Sequence, residues 1–437
     1  MRKNSLSIVA AGMAVGLIAG QAVAVDMSRY VSIGDSLTAG YISGGLVETT
    51  QKRDYPALIA ASGGASANFQ QPTISEPGIP PIYYLKSLVP LIIERKPGTG
   101  QPTNLQLPRP YSNLGVPGAI SLDVLQTVSD PDNPYFDLVL RGQGTMLQQA
   151  AALNPTFLSV WIGSNDILGA ALSGVPIDGV TMTPIPAFQQ IMGLLFQQLA
   201  GYKGRLIVGN VPDVTTIAFT TAISIYITNP ATGLPVLING QKVALIGPGG
   251  TPLVQGSYVL LTASSYMQQG YGIPVALGGN GQPLPNEVVL TPDEVIVIRQ
   301  HVDAFNQTIA SLAAQQGIPV VDINSILKGY ASKGVVVGGV PLTIAFVTGG
   351  LFSLDGVHPS DVGYAIIANE FISKINSSFN SSLPLVDLNP YLGIARKADG
   401  APFDWSSTGF TDEMFESLKQ VFLKPAAREY LERMKSY

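Results

Sequence analysis

The chain of 437 residues has no cysteine. Disulfides, thiolate metal sites and a cysteine-linked lipid anchor are excluded with it. Histidine is nearly as scarce, with only His301 and His358. A zinc site built on several histidines is therefore excluded as well. Charge is sparse too: Asp, Glu, Lys and Arg make up 12% of the residues, and the net charge is −5. That balance lacks the basic footprint nucleic acid requires. There is no EF-hand loop pattern, no repeat and no low-complexity tract. Beyond the first 24 residues, no run has the unbroken apolar length of a membrane span, which takes roughly 20 residues.

What the chain does have is a globular composition, 46% hydrophobic. Its 47 glycines and 33 prolines imply many turns and long loops. Length alone fits two or three domains, or one elaborated α/β domain. Residues 1–24 read as an export signal: Arg2 and Lys3, then an apolar stretch to about Ile18, then "AVA" at a cleavage site. The mature chain is expected to be exported, periplasmic or secreted, with no stable membrane span after cleavage.

Four short apolar runs end in glycine or a polar turn. They are "YVSIG" (30–34), "TFLSVWIG" (156–163), "RLIVGNV" (205–211) and "IPVVDI" (318–323). Such runs suit buried parallel strands. Helical patterns lie between them, at 144–153, 187–201 and 291–317. The last has Thr291, Asp293 and Glu294 as start signals and Gly317 as a stop. This alternation predicts a parallel α/β sheet covered on both faces. Two parts break it. Residues 48–110 are irregular and Pro-rich, and 220–285 read as a Gly/Pro-rich, β-rich insertion, a candidate cap. Residues 383–437 read as a tail of two short helices, the first with Met414, Phe415, Leu418, Val421 and Phe422 at helical spacing.

Four signals carry chemistry. The first is "GDSL", with Ser36 just past a strand. The second is "NLGVPGA" (113–119), read as a tight turn able to bring the N–H of Gly115 near a reacting atom. The third is "GSND" (163–166), with Asn165, where a strand ends and a helix can begin. The fourth is "DGVH", with Asp355 three residues before His358. Each alone has a plain reading. Ser36 is a good helix N-cap, Gly115 a turn glycine, Asn165 a helix start and His358 a loop histidine. A Ser–His mechanism must draw on His301 or His358. His301 falls inside the helical pattern, with no acid three residues before it.

In this order the four resemble the GDSL, or SGNH, hydrolase family of esterases and lipases. The resemblance spans about Tyr30 to Asn376. The 220–285 insertion and the tail lie outside it. It implies a three-layer α/β/α sandwich with a mostly parallel sheet of about five strands, flavodoxin-like, over residues 25–382. It implies Ser36 as nucleophile, His358 as base and Asp355 as the carboxylate that orients the imidazole. It implies an oxyanion hole from Ser36, Gly115 and Asn165. No metal or organic cofactor is implied. The expected partner is a small-molecule, lipid or carbohydrate ester. Two other readings stay open at this point: a non-catalytic binding or surface protein on the same fold, and an acyltransferase using the same residues.

Overall fold

The structure is a computed structural model, and it describes residues 25–88, 91–229, 232–393 and 409–434. The expected export signal at 1–24 lies outside the described residues. Five strands form one sheet, all paired in parallel. They are β1 (Tyr30–Gly34), β2 (Asn113–Gly115), β3 (Phe157–Trp161), β4 (Arg205–Gly209) and β5 (Val320–Val321). Their spatial order is β5-β4-β3-β1-β2. The fold is thus an α/β sandwich with a parallel five-stranded sheet. The segment 113–115, expected as part of a turn, is its edge strand. Three residues are too few to show a period-two pattern, so only pairing with β1 reveals it.

The strands are buried on both faces, and their side chains alternate between two apolar layers. Tyr30, Phe157, Trp161, Ile207 and Val321 share one cluster with Tyr55, Ile59, Phe371 and Ile375. Val31, Ile33, Leu158, Val160, Leu206 and Val208 point into the other, with Phe188, Leu195, Val302 and Phe305. The first layer is covered by α2 (Tyr55–Ser62) and α7 (Asp361–Phe379). The second is covered by α4 (Ile185–Leu199) and α5 (Pro292–Gln316). The Phe188 and Phe305 rings stack there with centroids 3.8 Å apart. The start and stop signals of α5 act as expected. Thr291 and Glu294 form a capping box, and Gly317 closes the helix in the left-handed region.

Register places the site. Gly34 pairs with Gly115 on one side and with Trp161 on the other. The carboxyl ends of β1, β2 and β3 therefore lie level. In open parallel sheets that edge is where ligands bind. The short helix α1 (Ser36–Ala39) leaves β1 there, and α3 (Asn165–Ser173) follows β3.

The insertion holds little regular strand. Leu237–Ile238 pairs with Gln241–Lys242, and Tyr258–Val259 pairs with Val289–Leu290. Isolated bridges and a helix at Ala263–Gln268 make up most of its remaining regular structure. The helix α6 (Ile323–Lys333) follows β5. The tail forms α8 (Asp412–Phe422) and α9 (Pro425–Met434), docked on the body through buried Met414, Leu418, Leu423, Ala427 and Leu431. No helix among the described residues is long and apolar enough to cross a membrane.

Candidate active site

Ser36 is the first residue of α1, and Asp35 is its N-cap, accepting from the Leu37 N–H at 2.9 Å. The sequence left open whether Ser36 caps a helix. The structure gives that task to Asp35 and leaves the Ser36 hydroxyl for another partner. The turn is tight: a Cβ at Gly34 would collide with Thr38 and with the Trp161 carbonyl. Glycine is required there by close approach, so that the serine can sit directly at the sheet edge.

The Ser36 Oγ lies 2.9 Å from His358 Nε2, and His358 Nδ1 lies 3.0 Å from Asp355 Oδ2. These three residues, expected from sequence, are brought into one hydrogen-bonded line. All three are buried. Asp355 and His358 come from the loop before α7. That loop is shaped by the carboxylate itself, because Asp355 Oδ1 accepts from the N–H groups of Val357 and His358, each at 2.9 Å. Ser353 Oγ donates to the same oxygen at 3.0 Å, and the Gly44 N–H donates to Oδ2 at 3.1 Å. Burial would raise the Asp355 carboxyl. The adjoining His358, with its ring and its N–H, and the Val357 N–H outweigh it and hold the group below its ordinary value.

Sequence reasoning missed the support behind this loop. Ser353 also accepts from the Ser43 N–H at 2.9 Å, and Ser43 Oγ accepts from the Leu354 N–H at 3.2 Å. A serine with no motif spacing carries no signal for such a role. His301 is placed elsewhere. It is buried in α5, with Nε2 2.8 Å from Asp178 Oδ1 and Nδ1 3.0 Å from the Val297 carbonyl.

The expected oxyanion donors differ in their state. The Ser36 N–H opens α1, where the first N–H groups have no partner within the helix. Asn165 opens α3, and its Nδ2 donates one hydrogen to the Ala119 carbonyl at 2.8 Å, with a second hydrogen remaining on that nitrogen. The neighbouring Asp166 ties the same segment down, accepting from the Ser121 N–H and hydroxyl at 2.8 Å each. Gly115 is different. Its N–H donates to Asn113 Oδ1 at 2.9 Å. The Gly115 N–H is thus engaged within its own segment. Gly118, the other glycine of that turn, adjoins the Ala119 carbonyl that holds Asn165.

A cleft partly open to solvent begins at Ser36, Asn165 and His358. Its walls are apolar: Leu37 and Leu168, then Ile323, Ile326 and Leu327 of α6, then Ile366 and Ile367 of α7. In α6, Ile323, Ile326, Leu327 and Tyr330 repeat at helical spacing, and this stripe faces the cleft. Among the described residues no group of three or more His, Cys, Asp or Glu could hold a metal ion.

Residues 30–371 match the model of the GDSL-like lipase/acylhydrolase family. Several solved structures are similar to the chain. An alpha/beta hydrolase enzyme from the metagenome of Lake Arreo, Spain, is 15% identical, with 83% of this chain and 100% of that chain covered at a TM-score of 0.37. A phospholipase A1 from Streptomyces albidoflavus NA297 is 15% identical, with 80% and 98% covered at 0.33. An extracellular lipase from Streptomyces rimosus is 13% identical, with 80% and 98% covered at 0.33. No curated protein matches the chain.

Proposed function

The chain belongs to the GDSL-like lipase/acylhydrolase family and is an ester-bond hydrolase, and we propose that it is an exported serine hydrolase for esters of apolar acids. In this reading Ser36 is the nucleophile, His358 the base and Asp355 the group that orients it. The observation that carries the reading is the unbroken line from Ser36 Oγ through the His358 ring to Asp355, with steps of 2.9 and 3.0 Å.

Ser36 Oγ attacks the ester carbonyl while its proton passes to His358 Nε2. Asp355 holds the other ring nitrogen as a donor and stabilises the imidazolium that results. The carbonyl oxygen becomes an oxyanion, met by the Ser36 N–H and Asn165 Nδ2. Gly115, the third donor implied by the resemblance, would first have to release Asn113. The tetrahedral centre collapses, and the alcohol leaves with the proton from Nε2. Water then attacks the acyl-Ser36 ester by the same route in reverse, freeing the acid and restoring the serine.

The apolar cleft is the natural place for the acyl chain. A hydrocarbon gains roughly 0.8 kcal/mol per CH₂ removed from water. Activity on p-nitrophenyl esters is therefore expected to rise from acetyl to medium chains. Ser36→Ala should abolish turnover and labelling by a fluorophosphonate. An Ala variant with wild-type turnover sinks the nucleophile assignment. Transfer of the acyl group to added glycerol or sugar, in preference to water, would mark an acyltransferase instead.

A further inference from the structure

The family match ends at residue 371, yet the catalytic histidine is packed against chain well beyond it. Phe422, the last residue of α8, is buried with its ring centroid 5.0 Å from that of His358. It also meets Tyr41 edge-on at 5.4 Å, and Tyr41 lies 4.8 Å from the same imidazole. One residue earlier, the Val421 carbonyl presses on Gly118, which sits at φ +81° with no room for a Cβ. The end of α8 therefore touches both the base and the turn that anchors Asn165.

An ester held at Ser36 has two halves. If the acyl half takes the apolar cleft, the other must depart past His358 Nε2, because that nitrogen returns the proton to the leaving oxygen. Neither Tyr41 nor Phe422 lines the apolar cleft. Phe422 instead borders a second cleft, whose walls include Thr181, Thr183 and Lys424. Asn165 borders both clefts. Phe422 thus stands between the imidazole and a second, more polar space.

We propose that α8 is a wall of the catalytic site and that Phe422 limits the size of the alcohol half of the ester. The wall is built rather than incidental. Arg95 Nη2 donates to Ser417 Oγ at 2.6 Å, and Lys424, just past the helix, pairs with Asp123 at 3.3 Å. The wild-type enzyme then favours small alcohols, and removing the ring opens the second cleft to larger, hydroxyl-bearing ones.

This rests on Ser36 as the nucleophile, so the test reads both. Esters of one acid are compared across methyl, glyceryl and naphthyl alcohols, for wild type, Phe422→Ala, Phe422→Leu and Leu431→Ala. The ratio of kcat/KM for a large alcohol to that for methanol is taken for each protein, and dividing by the wild-type ratio cancels the esters' intrinsic reactivity. Phe422→Ala should raise that ratio by about tenfold, the scale on which a pocket discriminates by size. Phe422→Leu should raise it less. Leu431→Ala, buried in α9, should leave it unchanged. An equal fall on every ester would overturn the proposal and leave Phe422 as a support for His358. An equal rise would overturn it in favour of α8 as an inhibitory cover. If Phe422→Ala does not fold, an unchanged ratio in Phe422→Leu overturns it as well. Fluorophosphonate labelling separates the two claims: an unlabelled wild type removes the Ser36 reading, whereas a labelled one with unchanged ratios removes only the role of Phe422.

Discussion

Asp35 and Asp355 are both fully buried beside the same serine, yet their carboxyls are driven in opposite directions. Burial pushes Asp35 up, to about 7. Asp355 meets the same burial but answers to His358 and to several donors, and it stays below its ordinary value. The difference is the number of groups aimed at each carboxylate, which the spacing of a motif cannot show. It has a consequence for stability. Asp35 holds its proton in the folded state and loses it near 3.8 when unfolded. Between about pH 4 and 7 the folded state binds the extra proton, so stability must fall as pH rises. Asp35→Asn removes this term. Its melting temperature relative to wild type is expected to climb from pH 4.5 to 7.5, and a constant difference would show that Asp35 ionises normally. For Asp355 the sign is reversed: its contribution is present above the ordinary carboxylate value and is lost as pH falls through the lower folded-state value. At this scale the meeting of Ser36, His358 and Asp355 was expected from the ordered motifs that resemble the family, and the count of two histidines only narrowed the choice of imidazole. Ser43, Ser353 and Phe422 were not legible, because each acts through a contact between distant parts of the chain.

At the scale of elements, the strands were readable wherever both faces are buried. Runs such as "FLSVW" can only sit between two apolar layers. The edge strand at 113–115 and the helix α6 were not foreseen. In α6 the apolar stripe at Ile323, Ile326, Leu327 and Tyr330 would ordinarily announce a face packed on the core. Here Ile326 and Leu327 pack against the core only in part and also line the cleft. If the acyl chain lies in this cleft, as proposed, these side chains are what it meets. Leu327→Trp, which fills part of that cavity, should shift the preferred acyl chain to shorter lengths while leaving acetyl ester turnover within a few-fold of wild type. Kinetics across a p-nitrophenyl ester series measure this. An unshifted optimum would place the acyl chain somewhere other than along α6.

At the scale of the molecule, the tail is part of the core. Met414, Leu418, Phe422, Leu423 and Leu431 are all buried in the cluster that also holds β1 and β3 side chains. Full burial of such side chains stabilises by roughly 1.5–3 kcal/mol each, and whole domains are stable by only about 5–15 kcal/mol. Removing everything after residue 393 should therefore give a protein that aggregates or melts far below wild type. A soluble, monomeric product with wild-type melting would show that the tail is an accessory. The two-helix form of the tail was legible from its spacing, but its place beside His358 was not, since nothing local in the sequence states what a helix docks against.

Ser36 and His358 are separated by 322 positions in the chain and meet only through the finished sheet. In the proposed reading the nucleophile is thus translated well before its base and before the wall behind that base. A chain cut short of His358 would, in that reading, carry a serine with no means of activation. In the proposed reading, hydrolysis is therefore a property of the assembled sheet and not of any one segment of the chain.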